Sequence, residues 1–225
     1  MIENKVWSNN PNQFVIGADE VGRGSFAGPI VGAAVKINKS HEDLLIEVKD
    51  SKKLSEKKRN QIFELISNNN VVYSISECSN NIIDEIGISE ANKIVLENSI
   101  KEIYTGAEKV YVDHFKINKF SSVSLVRGED NSKAIALASI IAKVYRDNLM
   151  KKISKNYPQY LFENNKGYGT QAHRESIEKH GLTDIHRRSF NLEPNKYQIQ
   201  LAKSKILYLR NHIYLLCMVY LDQIP

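Results

Sequence analysis

Cysteine is nearly absent. Only Cys78 and Cys217 occur among 225 residues, which is too few for a disulfide framework, and no CxxC knuckle is present, so a reducing cytoplasm is the expected setting. The six histidines show no zinc spacing with cysteine, which argues against a zinc hydrolase. Residues 1–13 lack the apolar stretch of a secretory signal. The longest apolar run, residues 213–221, follows Arg210 and His212 and falls far short of the ~20 residues a membrane span needs. No membrane association is expected. Internal repeats and low-complexity segments are also missing.

What remains is an ordinary globular balance, 42% hydrophobic and 25% charged. The length suits one domain, or one domain with a short appendage. A formal net charge of +5 is compatible with a polyanionic partner and equally with a merely basic soluble protein.

The pattern of apolar residues predicts an α/β domain with a mixed sheet. Residues 14–18 form a short apolar run ending in Asp19-Glu20, and Pro29 to Ile37 reads as its hairpin-like return. Ser55 is a candidate N-cap for a helix to about Asn69, with Ile62, Leu65 and Ile66 inward. Val71 to Glu77 alternates like a half-buried strand. Ser89 is a candidate cap for a second helix with the stripe Leu96, Ile100 and Ile103. Strands are expected at Lys109 to Asp113 and at Ser121 to Val126. A long helix from Ser132 to about Ser154 presents Ile135, Ala138, Ala142, Tyr145 and Leu149, small at its start so that it can approach a sheet closely. Thr170 to His180 forms a short helix before Gly181.

Carboxylates recur where strands end. Asp19 and Glu20 close the first strand, Asp113 closes the fourth, and Glu129-Asp130 follows the fifth. Acids have no structural use at the end of an apolar strand, and several gathered at one sheet edge repel one another without a counterion. With a divalent cation they become an oxygen-ligand site suited to Mg²⁺ or Mn²⁺. Two such ions ~3.5–4 Å apart can activate water and stabilise the leaving oxygen in phosphodiester hydrolysis. The alternative for any one of these acids is an ordinary strand-end or helix-start residue.

Gly22-Arg23-Gly24 and Gly28-Pro29 do not make a dinucleotide fingerprint. The spacing is GxGxxxG, the preceding acids would face a pyrophosphate with like charge, and no Walker lysine-serine follows. The loop reads better as backbone that approaches a nucleic-acid strand closely, with Arg23 adding a phosphate contact. The alternative is a tight hairpin turn with a solvated arginine.

At this point the segment from Gly17 to Pro29 resembles the opening motif of bacterial ribonuclease HII. Four further groups occur in the same order as in that family: Asp50-Ser51-Lys52-Lys53-Leu54; Tyr111-Val112-Asp113; Ala138 to Val144 with Arg146-Asp147; and Lys166-Gly167-Tyr168-Gly169-Thr170 with His173. His186-Arg187-Arg188-Ser189-Phe190 closes the series. The resemblance covers roughly residues 14–192. It implies a ribonuclease H-like fold, a five-stranded mixed sheet flanked by helices with a small C-terminal helical extension. Residues 1–192 would be the catalytic domain, with substrate-binding helices from about residue 155, and residues 193–225 a helical tail of unknown role that packs on the domain or offers an interaction surface.

The resemblance also implies the activity. Such an enzyme cleaves RNA in RNA–DNA hybrids and incises 5′ of a ribonucleotide embedded in duplex DNA, leaving 3′-hydroxyl and 5′-phosphate ends, so that misincorporated ribonucleotides can be removed. By motif position, Asp19, Glu20 and Asp113 correspond to metal-binding carboxylates. Gly22, Arg23 and Gly24 correspond to the loop that senses the ribose 2′-hydroxyl. Tyr168 corresponds to a tyrosine that packs on the sugar of the next deoxynucleotide. Lys52, Lys53, Lys143 and Arg146 are candidates for phosphate contacts, with ordinary solvated charge as the alternative. A monomer is expected.

Two positions depart from the family pattern. The fourth carboxylate is usually Asp directly after the glycine matching Gly128. Glu129 stands there, and Asp130 is a possible substitute. Glutamate at that position is the habit of the sister family, ribonuclease HIII, which carries an extra N-terminal domain and lacks the arginine in its glycine loop. With 18 residues before Asp19, and with Arg23 present, this chain is expected to side with ribonuclease HII. His114 replaces a common glycine, and either assists proton transfer or points away. Two alternatives stay open: HIII-like cleavage of hybrids without single-ribonucleotide incision, and a non-catalytic hybrid-binding homologue.

Overall fold

The structure, a computed structural model, describes residues 1–45, 48 and 54–192. The expected tail at 193–225, together with Lys52 and Lys53, lies outside the described residues. Five strands form one mixed sheet in the order β3-β2-β1-β4-β5. They are β1 (Val15–Val21), β2 (Ile30–Ile37), β3 (Val72–Cys78), β4 (Lys109–Asp113) and β5 (Val123–Leu125). The hairpin pairing β1–β2 and the pair β2–β3 are antiparallel, whereas β1–β4 and β4–β5 run parallel. This is the five-stranded mixed sheet the sequence predicts.

Helices cover both faces. On one side lie α2 (Glu56–Asn68) and the long α6 (Lys133–Ser154), packed on Val15, Val31, Ala33 and Val35; on the other lies α4 (Ile88–Ile103), whose Leu96, Ile100 and Ile103 meet Ile16, Ala18, Ala34 and Val112. The alternation along β1 follows from the two-residue period of a strand. Its odd positions face α6 and its even positions face α4. Gly17 is where α6 comes closest, since a methyl group there would lie 2.2 Å from the Ala134 carbonyl carbon.

The expected cap at Ser55 is present, and Ser132 and Thr170, read only as helix starts, also cap their helices, each accepting the backbone N–H three residues on. Ser89 does not cap α4. That helix begins at Ile88 behind Gly87, whose φ of +81° only glycine takes without strain. The stripe expected on α6 is also revised: Tyr145 and Leu149 are not in the core, while Ala134, Ile141, Val144 and Met150 are. The cause is a second buried layer. The C-terminal half of α6 is covered by Ala27, Tyr160 and Phe162 as well as by the sheet, so one narrow stripe does not describe it. The short helices α1 (Ile2–Asn9), α3 (Asn80–Ile86) and α5 (Gly128–Asn131) escaped the sequence pattern. The C-terminal layer is completed by α7 (Phe162–Asn165) and α8 (Gln171–His180). Among the described residues no helix is long and apolar enough to cross a membrane.

Candidate metal centre and its glycine loop

The parallel pairing of β1 and β4 aligns Ala18 with Val112, so the next residues, Asp19 and Asp113, leave the sheet side by side. Ligand oxygens of Asp19, Asp113 and Glu129 lie within 4.8 Å of one another. Glu129 enters this group from α5, and Asp130 beside it is exposed and outside it. Of the two acids the sequence offers, Glu129 is the one brought beside Asp19 and Asp113. Gly128 makes this possible. Its N–H donates to Asp113 Oδ1 at 2.5 Å, and a methyl group in its place would lie 2.9 Å from that same oxygen.

Strand alternation puts Asp19 on the α6 side and Glu20 on the α4 side. Burial, and then the Glu20 charge, push the Asp19 carboxyl well above its ordinary range, against a partial offset from the Ser139 hydroxyl on α6. Burial likewise raises Glu20, while the Arg23 charge and the Asn92 amide on α4 temper the rise. Asn92 is fully buried, and neither of its amide atoms closes a well-formed hydrogen bond among the described residues. Asp19 and Glu20, raised by burial and by neighbouring charge, make a site that a cation would relieve. Its donors are all oxygens, which fits Mg²⁺ or Mn²⁺ rather than a softer ion.

The loop after β1 is built from two different glycines. Gly22 has φ +88°, and a methyl group on it would meet Arg146 Nε at 2.2 Å; Gly24 has nothing within 4 Å and is exposed. Only Gly24, then, matches the expected open backbone, and Gly22 is required by the arginine packed beneath it. Arg23 is exposed between them.

Arg146 departs from its expected role as a phosphate contact. It is fully buried, and its guanidinium donates to Pro29 O at 2.9 Å, Lys166 O at 2.8 Å and Ala27 O at 3.1 Å. A planar fork with several donors suits this bridging of carbonyls. Arg187 does the same from the other side, donating to Gly28 O at 3.0 Å and Arg23 O at 3.0 Å. Burial and the neighbouring Arg146 charge push it down to about 9. The two arginines hold the carbonyls of the loop inward. Backbone bonds add to this, with Gly167 O accepting from Phe26 and Ala27 and with Ile185 O accepting from Gly28.

Tyr168 is half-buried and bridges to Ser25, which brings it against the loop. Lys143 Nζ lies 5.7 Å from its ring centroid and Arg146 Cζ 5.5 Å. Lys143 is partly exposed and is oriented by Asp147 at 2.8 Å, one helical turn on. His114 is exposed, and its backbone sits at φ +49° with the N–H donating to Leu125 O at 2.8 Å. That left-handed backbone is the physical reason a glycine suits the position.

Sequence reasoning missed Arg187, Ser139 and Asn92. The first two lie inside motifs whose order was legible although their individual roles were not. It also missed Glu3 of α1, which accepts from Ser132 Oγ at 2.6 Å and Ala134 N at 3.1 Å at the start of α6.

Comparison with known proteins addresses the family and the fold. A sequence profile described as Ribonuclease HII matches residues 16–193. A protein of Clostridium perfringens (strain SM101 / Type A) named Ribonuclease HII is 45% identical over 181 residues, 79% of this chain and 66% of that protein, just under two thirds of its length. One of Ligilactobacillus salivarius with the same name is 42% identical over 196 residues, 87% of this chain and 75% of its own. The crystal structure of ribonuclease H2 from Pyrococcus horikoshii OT3 superposes with a TM-score of 0.68 at 24% identity, covering 80% of this chain and 95% of that one. The crystal structure of Bst-RNase HIII in complex with Mn²⁺ superposes with a TM-score of 0.63 at 19% identity, covering 85% and 71%. The two structural likenesses show a shared fold.

Proposed function

The chain belongs to the ribonuclease HII family, and from that premise we propose that it is an endoribonuclease that hydrolyses RNA in RNA–DNA hybrids and incises 5′ of ribonucleotides embedded in duplex DNA, leaving 3′-hydroxyl and 5′-phosphate ends. The observation that carries this reading is the convergence of Asp19, Asp113 and Glu129 oxygens within 4.8 Å, with Glu20 adjacent and the Gly22–Gly24 loop immediately beyond.

Asp19, Glu20, Asp113 and Glu129 would hold Mg²⁺ or Mn²⁺. When bound, such ions supply an activated water and charge neutralisation at the phosphodiester, in a two-metal displacement. The Mn²⁺ complex of Bst-RNase HIII supports this choice of cation. The chain's own residues do the selecting. Gly24 leaves its backbone uncovered for a close approach, and Arg23 reaches the same strand, so that a 2′-hydroxyl is sensed where the loop is held rigid from behind. Tyr168 offers its ring to the next, deoxy sugar. Lys143, held by Asp147, offers a positive charge to the backbone phosphates, and Arg146 serves behind the loop. Residues 1–192 act together as the catalytic unit, and the chain works in the cytoplasm as a monomer.

Asp19→Asn is expected to keep the fold and reduce Mg²⁺- or Mn²⁺-dependent cleavage of a duplex with one embedded ribonucleotide by at least about a thousandfold, the scale of losing a charge that acts on the transition state. Full activity in this variant would sink the assignment. Cleavage of long hybrids but not of the single-ribonucleotide duplex would point instead to HIII-like action, and binding without cleavage under either metal to a non-catalytic homologue.

A further inference from the structure

Away from the carboxylates, two histidines meet in the dry C-terminal layer. His173 of α8 and His186, in the segment after it, are both fully buried, with their Nε2 atoms 3.1 Å apart. Each ring's other nitrogen is fixed by the backbone. The Thr183 N–H donates to His186 Nδ1 at 2.9 Å, so that nitrogen carries the lone pair and the proton resides on Nε2. The Tyr168 carbonyl, which can only accept, lies 2.9 Å from His173 Nδ1, so that nitrogen carries the proton. Only one arrangement satisfies every atom: Thr183 N–H to His186, His186 Nε2–H to His173 Nε2, and His173 Nδ1–H to Tyr168 O. Both rings are then neutral. Around them stand the rings of Phe26, Tyr160 and Phe162, none of which offers a counter-charge.

The chain of bonds runs between the two strips of backbone that grip the glycine loop. Tyr168 bridges to Ser25, and His186 bridges to Ala27. We propose that the His173–His186 pair is a positioning element that joins these two strips through one ordered set of hydrogen bonds and thereby sets Tyr168 against the Gly22–Gly24 loop for recognition of an embedded ribonucleotide. This rests on the reading of Tyr168 and the loop given above. The pair touches neither substrate nor metal ligand and acts through the Tyr168 backbone.

The charged groups facing the pair reinforce its neutral state. Burial, and then His173, push His186 down to about 4, with Arg188 adding to the fall and Asp184 opposing it; burial and Arg174 lower His173. Protonation of His173 would convert the Nε2–Nε2 contact into two opposed N–H groups, and protonation of His186 would set its Nδ1–H against the Thr183 N–H.

The test uses the full chain. Long-range ¹H–¹⁵N spectra of histidine-labelled protein should show His173 as the Nδ1–H tautomer and His186 as the Nε2–H tautomer, both neutral from pH 8 down to about 5. An imidazolium in either ring at pH 6, or the opposite tautomers, would overturn the proposal. His173→Phe keeps the ring and loses the bonds, whereas His173→Asn keeps a donor for Tyr168 O. Binding is measured by fluorescence anisotropy, in Ca²⁺, to a duplex with one ribonucleotide and to the same duplex in all-DNA form. His173→Phe should weaken the first about tenfold and the second by less than about twofold, and His173→Asn should restore most of the difference, a tenfold change being the scale of one lost buried hydrogen bond. If both duplexes weaken together, or neither does while the melting temperature falls, the pair is merely structural and the proposal fails. If His173→Phe does not fold, the spectra of the unmodified chain still decide. Absence of any preference for the ribonucleotide duplex in the unmodified chain would sink the functional reading, whereas equal preference in both proteins would sink this inference alone.

Discussion

Gly22 and Gly24 stand two residues apart in one motif and are there for different reasons. Gly22 has φ +88° and lies against Arg146, so Gly22→Ala places a methyl group on a buried guanidinium and strains the backbone as well. Nothing obstructs Gly24, so Gly24→Ala covers backbone without disturbing the packing. Gly22→Ala is expected to destabilise the protein by about 3 kcal/mol or more. Gly24→Ala should stay within about 0.5 kcal/mol in denaturant melts and instead raise KM for a ribonucleotide-containing duplex. Equal melting curves for the two variants would show that Arg146 does not pack as described. In the sequence both glycines look alike, because whether a side chain fits depends on a residue 124 positions away that only folding brings underneath.

At the level of elements, α1 is fastened to the start of α6. Glu3 is fully buried, and its Oε1 caps α6 together with the Ser132 hydroxyl. A carboxylate at a helix N-terminus gains from the unsatisfied N–H groups and the helix dipole. Its cost is that Oε2 is buried with no hydrogen-bond partner among the described residues. Since Glu129 lies on α5, one turn before α6, the cap also steadies the carboxylate proposed as a metal ligand. Glu3→Ala is expected to lower stability by about 1–2 kcal/mol and to weaken Mn²⁺ binding, measured by calorimetry, by a few fold. Unchanged Mn²⁺ affinity would confine Glu3 to a structural role. The cap at Ser55 was legible because capping is local. Glu3 was not, since it caps a helix that begins 130 residues later.

For the whole molecule, the carboxylate cluster is expected to make stability depend on pH and on divalent ions. Asp19 and Glu20 have pKa values raised in the folded state, by burial first and then by neighbouring charge. The folded protein therefore binds more protons than the unfolded chain as pH rises from the ordinary carboxylate range through these raised values, and stability from these groups falls across that window. Without metal, Asp19→Asn is expected to melt above the unmodified protein at pH 7.5, and the gap should close on lowering the pH toward 4. Adding Mg²⁺ or Mn²⁺ should raise the melting temperature of the unmodified protein and leave the variant nearly unchanged, because a ligand stabilises only the state that binds it. A variant that melts no higher without metal would show that the cluster is not strained.

The sequence by itself determined the architecture and pointed to Asp19, Glu20 and Asp113 as candidate carboxylates. The two-residue period of the strands, the helix cap at Ser55 and the acids at strand ends are local signals, and six motifs in fixed order carry the family. What only the tertiary structure decided depends on who meets whom. It brought Glu129 rather than Asp130 beside Asp19 and Asp113, because Gly128 lets α5 close on Asp113. It moved Arg146 from an expected phosphate contact to a buried brace, because the second layer over α6 leaves it no path to solvent. It made a hydrogen-bonded pair of His173 and His186, which the sequence holds 13 residues apart. A residue's chemistry is written in the chain, but its accessibility and its partners are properties of packing, and packing is settled only when distant segments fill the same space.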